Sequence, residues 1–145
     1  MKVLSVIAQK PSSTGSGIYL TELVRCMSEL NIEQEVICAA YADDNINDYN
    51  KVIYNRILFN TKDLPIKIAG MSDVMPYDTI RYSDFVTDIE SLKLWTKAFE
   101  SKIDEVINNF KPDLIICHHL YLLTAIVVSK LCNKNFSYEC CNNYY

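Results

Sequence analysis

The order of elements in the first 40 residues constrains this chain more than any other feature. Lys2-Val3-Leu4-Ser5-Val6-Ile7-Ala8 is a mostly apolar run, followed at residues 9–17 by a loop of Pro, Ser, Thr and Gly. Ile18, Leu20, Leu23, Val24, Met27 and Leu30 then recur at helical spacing, and residues 35–40 form a second apolar run. Strand, glycine loop, helix, strand is the order of a parallel βαβ unit. In such a unit the first N–H groups of the helix point past the carboxyl end of the first strand. The arrangement predicts a place for a phosphate or a sugar near Gly15 and Gly17. Ser16 is the expected N-cap.

The rest of the chain extends the same plan. Residues 52–59 read as a third strand, whereas 60–82, with Pro65, Gly70 and Pro76, carry no period and read as one long loop. Thr87-x-x-Glu90 has the spacing of a capping box. Leu92, Trp95, Phe99, Ile103, Val106, Ile107 and Phe110 then keep helical spacing up to Lys111-Pro112. Residues 113–119 read as a buried strand that ends in His118-His119, residues 120–131 as an apolar helix, and a fifth strand is expected to begin at Asn135. Near-continuous apolar strands imply burial on both faces. The predicted fold is therefore α/β, a three-layer Rossmann-like parallel sheet. No helix is visible after the fifth strand to cover it, so the chain reads as ending mid-fold.

A net charge of −4 argues against a general nucleic-acid or anionic-membrane binder, which needs a basic face. No signal peptide is visible, and no apolar run approaches the roughly 18 residues of a membrane span. Of the six cysteines, Cys26, Cys38 and Cys117 fall at apolar positions of a helix and two strands, where free thiols act as small hydrophobes. Cys140-Cys141 lack the C-x-x-C spacing. A reducing, cytoplasmic setting is the expectation.

Each candidate site has a plain alternative. The glycine loop is G-x-G-x-x-Leu, without the third small residue of a dinucleotide fingerprint and without the G-K-[ST] of a P-loop. Alone it is equally an ordinary strand–helix connection. His118 and His119 fall at the same sheet edge, where imidazoles hydrogen-bond sugar hydroxyls or phosphate, or move protons. They are otherwise surface or core histidines without a role. A zinc site is disfavoured, because Cys117 and His118 face opposite sides of a strand. Asp43-Asp44 stands where a ribose-binding acid stands in dinucleotide folds, but such a pair is more often a solvated turn.

The strand at residues 2–8, the loop through Ser13-Thr14-Gly15-Ser16-Gly17, the helix with Tyr19-Leu20-Thr21-Glu22-Leu23, and Lys111-Pro112-Asp113-Leu114-Ile115-Ile116-Cys117-His118-His119 resemble the N-terminal domain of GT-B-fold glycosyltransferases of family 4. The resemblance covers about residues 1–131, and the domain is set at 1–132. It implies retaining transfer of a sugar from a nucleotide-sugar to a sugar or lipid-linked acceptor, with no metal or other cofactor. By motif position, Gly15, Ser16 and Gly17 approach the donor phosphates and the acceptor. His118 is the cleft histidine near the donor sugar, and His119 is a further candidate contact. The family's donor site lies mostly in a second domain, which these 145 residues lack, and 133–145 read as a divergent tail. Little or no transfer is therefore expected from the isolated chain. The alternative is a non-catalytic binding or assembly subunit that pairs with a separate donor-binding domain. A weaker alternative is a nucleotide-binding domain that uses Asp43 or Asp44.

Overall fold

A computed structural model describes residues 1–46, 52–70, 77–119 and 121–132, together with the backbone of 137–140. The chain is α/β and Rossmann-like. Five parallel strands, β1 (Lys2–Val6), β2 (Glu33–Ala40), β3 (Ile53–Leu58), β4 (Leu114–Cys117) and β5 (Ser137–Cys140), form one sheet in the order β3-β2-β1-β4-β5. The helices are α1 (Gly15–Glu29), α2 (Tyr82–Thr87), α3 (Ile89–Phe110) and α4 (Leu123–Leu131). Among the described residues, no helix is long and apolar enough to cross a membrane.

The period of two along each strand builds the three layers. Val3 and Ile7 of the first strand segment, Val36 and Cys38 of β2, and Ile116 of β4 pack with Leu20, Val24 and Met27 of α1. Leu4, Val6, Ile37, Ala39, Ile115 and Cys117 turn to the other face. There they join a larger core with Trp95, Phe99, Ile103 and Phe110 of α3 and Leu123, Val127 and Leu131 of α4. Trp95 and Phe99 lie 4.5 Å apart between ring centroids, and Phe85 of α2 meets Trp95 edge-on at 5.9 Å. Cys38 and Cys117 are buried, as the apolar runs around them require.

Local chemistry sets the helix ends, and two of them differ from expectation. Thr14, not Ser16, caps α1: its hydroxyl accepts the Gly17 N–H at 3.1 Å, and Ser16 lies inside the first turn. Asp88, not Thr87, caps α3. Residues 82–87 form their own short helix, and the Asp88 carboxylate then accepts from the Ser91 N–H at 3.2 Å and the Ser91 hydroxyl at 2.6 Å. The exit of α1 is a Schellman motif around Asn31, whose φ is 55°. Asn31 N–H bonds Ser28 O and Ile32 N–H bonds Met27 O, each at 3.0 Å. Helix α3 ends on Lys111 in the left-handed region, φ 53° and ψ 64°.

The segment expected to be an unstructured loop is partly built in. Leu64, Ile68 and Ala69 are buried in the larger core, and Ala69 bridges Ile80 in parallel. The fourth strand stops at Cys117, so both histidines lie just beyond it, and α4 begins at Leu123 rather than at residue 120. The expected fifth strand is present and pairs with β4; the rest of the expected tail lies outside the described residues.

Two substitutions check this account by denaturant unfolding. Phe99→Ala is expected to cost about 3–5 kcal/mol, as a large aromatic deleted from a packed core. Lys111→Gly is expected to gain about 1 kcal/mol, because glycine occupies the left-handed region without a Cβ penalty.

Candidate functional site

All strands run the same way, so their carboxyl ends gather at one edge. The residues after β1, β2 and β4 meet there. His118 donates its backbone N–H to Val6 O at 3.0 Å, which places both histidines beside the glycine loop.

The loop enters α1 through one tight contact. A Cβ on Gly17 would stand 2.4 Å from Lys10 O, 3.1 Å from Ser12 N and 3.2 Å from Thr14 Oγ1. Gly17 is needed for close backbone approach, not for an unusual φ. It is buried, Ser16 is half-buried and Gly15 is exposed.

From that turn a chain of polar side chains crosses to the histidines. Gln9 Oε1 accepts from the Thr14 hydroxyl at 3.0 Å and from the Ser16 hydroxyl at 3.5 Å. Ser16 Oγ lies 3.0 Å from His119 Nε2. Thr124, near the start of α4, donates its hydroxyl to His119 O. The His118 ring packs against Tyr19 at 5.9 Å, and the His119 ring against Tyr121 at 5.8 Å. Tyr121 in turn meets Tyr82 edge-on at 5.3 Å. Cys117 packs in the larger core on the opposite sheet face from the Tyr19 side, as strand alternation predicts.

The structure thus brings Ser16, Gly17, His118 and His119 together. His119, the residue without a motif assignment, is the one bonded to the glycine loop. Gln9, Thr14 and Tyr121 complete the group and were not singled out from sequence. Gln9 had a usable signal, since it directly follows the first strand's apolar run at the binding edge.

Burial governs the electrostatics. Gln9 and His118 are 1% and 2% exposed. Burial pulls both imidazoles down to about 4, and His119 adds to the effect on His118. Both are neutral at pH 7. Burial also pushes the Tyr121 phenol well up, so it keeps its proton. Three buried atoms of this group have no hydrogen-bond partner: Gln9 Nε2, His118 Nε2 and His119 Nδ1. A concavity of about 570 Å³ at the amino edge of the sheet, near Gln34, Val52 and Phe110, offers only Gln34 Oε1 in that state. Ser5 Oγ and Trp95 Nε1 are the other two such atoms among the described residues, so three of the six stand together at the carboxyl edge, where ligands of open parallel sheets bind.

No protein-family model matches the chain, and no curated protein matches it either. The geometry therefore carries the functional argument.

Asp43 and Asp44 part company. Asp43 is exposed, whereas the Asp44 carboxylate accepts from the Tyr41 N–H at 2.6 Å and forms an ion pair with Lys10. A carboxylate so engaged is not free to take a ribose.

Gly17→Ala is expected to lower stability by about 1–3 kcal/mol, read by denaturant unfolding, because the displaced neighbour is backbone. A pH effect follows from the histidines. Their folded values, about 4, lie below the ordinary 6.5, so the unfolded chain binds protons first as pH falls. Their contribution is whole above pH 6.5 and is lost toward pH 4, on the order of 3 kcal/mol for each histidine. Melting temperature measured across that range should fall, and His118→Gln should flatten the fall.

Proposed function

We propose that this chain is the acceptor-side, N-terminal part of a cytoplasmic glycosyltransferase that moves a sugar from a nucleotide-sugar to a sugar or lipid-linked acceptor. The observation that supports the reading is the set of three buried, unpartnered atoms beside the first turn of α1. Each such atom costs about 1–3 kcal/mol when nothing meets it. A sugar hydroxyl both donates and accepts, so one ligand class satisfies an amide N–H and two neutral imidazoles. Tyr19, Tyr82 and Tyr121 add ring surface around these groups.

In this reading His118 and His119 orient hydroxyls as neutral hydrogen-bonding groups. Ser16 and the α1 N-terminus face the donor phosphates, where the helix dipole favours negative charge. Gly17 lets the loop lie close against α1. Transfer depends on preorganised charge stabilisation from both sides of the cleft. These 145 residues alone are therefore expected to bind substrates and turn them over little or not at all.

Thermal unfolding with a panel of nucleotide-sugars and sugar acceptors tests the reading. A ligand that binds the native state at about 100 times its Kd adds about 2.7 kcal/mol. At least one nucleotide-sugar should raise the melting temperature, and Ser16→Ala and His118→Gln should weaken binding about tenfold, which about halves that gain at the same ligand concentration. No shift with any member of the panel, or a shift indifferent to both substitutions, contradicts it.

The position of β5 favours a second reading. Among the described residues it is the outermost strand on its side of the sheet, where a further strand can add. A non-catalytic subunit would pair there with a separate donor-binding domain, and would bind acceptor without contributing to turnover.

A further inference from the structure

Among the described residues, the candidate site holds no free charge, although a nucleotide diphosphate is strongly anionic. Its histidines are neutral, and Gln9, Thr14 and Ser16 are uncharged. The nearest cation along the chain is Lys10, the residue after Gln9, and it is occupied. Its ammonium is ion-paired with Asp44 and lies over the faces of Tyr41 and Tyr77, 5.2 Å and 4.8 Å from their ring centroids.

We propose that Lys10 is a masked anion-binding residue: Asp44 holds its ammonium until a ligand diphosphate at the first turn of α1 draws it away. This rests on reading the site as one for nucleotide-sugars, and it adds a residue that the sequence motifs do not assign.

Four observations carry it. The Lys10 backbone is fixed against the helix start, because Lys10 O is the atom that a Cβ on Gly17 would strike, 2.4 Å away. Lys10 N–H is also held, by Tyr77 Oη at 3.3 Å. The ammonium sits on a flexible four-carbon stem, so it can move while the backbone stays. Next, the pair can part without stranding its acid. Asp44 Oδ2 keeps the Tyr41 N–H at 2.6 Å, so the carboxylate retains a donor when Lys10 leaves. Third, the pair is shielded, with side-chain exposures of 15% and 16%, so exchanging one anion for another matters more than at an open surface. Finally, the neighbouring amide supplies an independent sign of a ligand. Gln9 Nε2 is buried and unpartnered, while its Oε1 is bonded to the α1 cap, Thr14.

The competition between Asp44 and the ligand gives a test with opposite signs. Inorganic pyrophosphate is titrated into the full chain at low ionic strength by calorimetry. Asp44→Asn frees the ammonium, and its amide oxygen can still accept from Tyr41 N–H. It should bind pyrophosphate about tenfold more tightly than wild type, and Lys10→Gln about tenfold more weakly. The double substitution should match Lys10→Gln. Should Asp44→Asn lose its cooperative thermal transition, Asp44→Ser takes its place.

An Asp44 variant that binds equally or more weakly, no pyrophosphate binding in wild type and Asp44 variant alike, or a Lys10→Gln titration equal to wild type overturns the proposal. Nucleotide-sugar titrations of the same proteins separate it from the parent reading. If pyrophosphate behaves as stated but no nucleotide-sugar binds, Lys10 stands and sugar transfer falls. If a nucleotide-sugar binds all variants alike, sugar transfer stands and the role of Lys10 falls.

Discussion

The hydrogen bonding of β1 to a parallel strand on each side fixes everything at the carboxyl edge. Val6 lies opposite Ile37 of β2 and Cys117 of β4. The bonding runs one residue further on both flanks: Ile7 N–H donates to Ile37 O at 2.9 Å, and His118 N–H donates to Val6 O at 3.0 Å. Those bonds set where β1 releases its chain into the glycine loop and where β4 delivers its histidines. Because side chains alternate, a slip of one residue would send His118 into the larger core and Cys117 out toward α1.

The same edge concentrates what a folding chain normally avoids. Gln9, His118 and His119 are polar and buried, and each keeps an unpartnered atom. The sheet and α3 can carry that cost. Leu4, Val6, Trp95, Phe99, Ile103 and Ile115 are almost wholly removed from water, at about 25 cal/mol per Å² of apolar surface. Stability thus comes from the α3 face and the middle of the sheet, while the carboxyl edge keeps a hydrogen-bonding capacity that its own residues leave unused. Neutral imidazoles are central to this, since burial keeps them uncharged near neutral pH.

The fold was largely legible in the sequence because its signals are periodic. Short continuous apolar runs located the strands, and the spacing from Leu92 to Phe110 located α3. Helix caps were harder to place. Thr14 and Ser16, or Thr87 and Asp88, are neighbours with similar hydrogen-bonding groups, and tertiary contacts decide between them. The site was half legible. The places of Gly17 and of the histidines at the carboxyl edge follow from their positions relative to strands, whereas the close approach of Gly17 to Lys10 O does not. The bond from Ser16 to His119 and the pairing of Lys10 with Asp44 join residues 103 and 34 positions apart, for which sequence spacing gives no rule. The segment before α2 reads as a plain loop in the sequence because its buried residues, Leu64, Ile68 and Ala69, are too sparse to make a period.

The proposed function requires that the unpartnered atoms of the buried histidines take hydrogen bonds from a hydroxyl-bearing ligand. The most direct measurement is imidazole nitrogen NMR of His118 and His119 near pH 7, followed through a titration with a nucleotide-sugar or sugar acceptor. Both rings should report neutral imidazole before ligand is added. His118 Nε2 and His119 Nδ1 should then move as hydrogen bonds form, with little change at His119 Nε2, which already has Ser16. Rings that are protonated at the outset, or ligand that saturates while both nitrogens stay in place, would contradict the account.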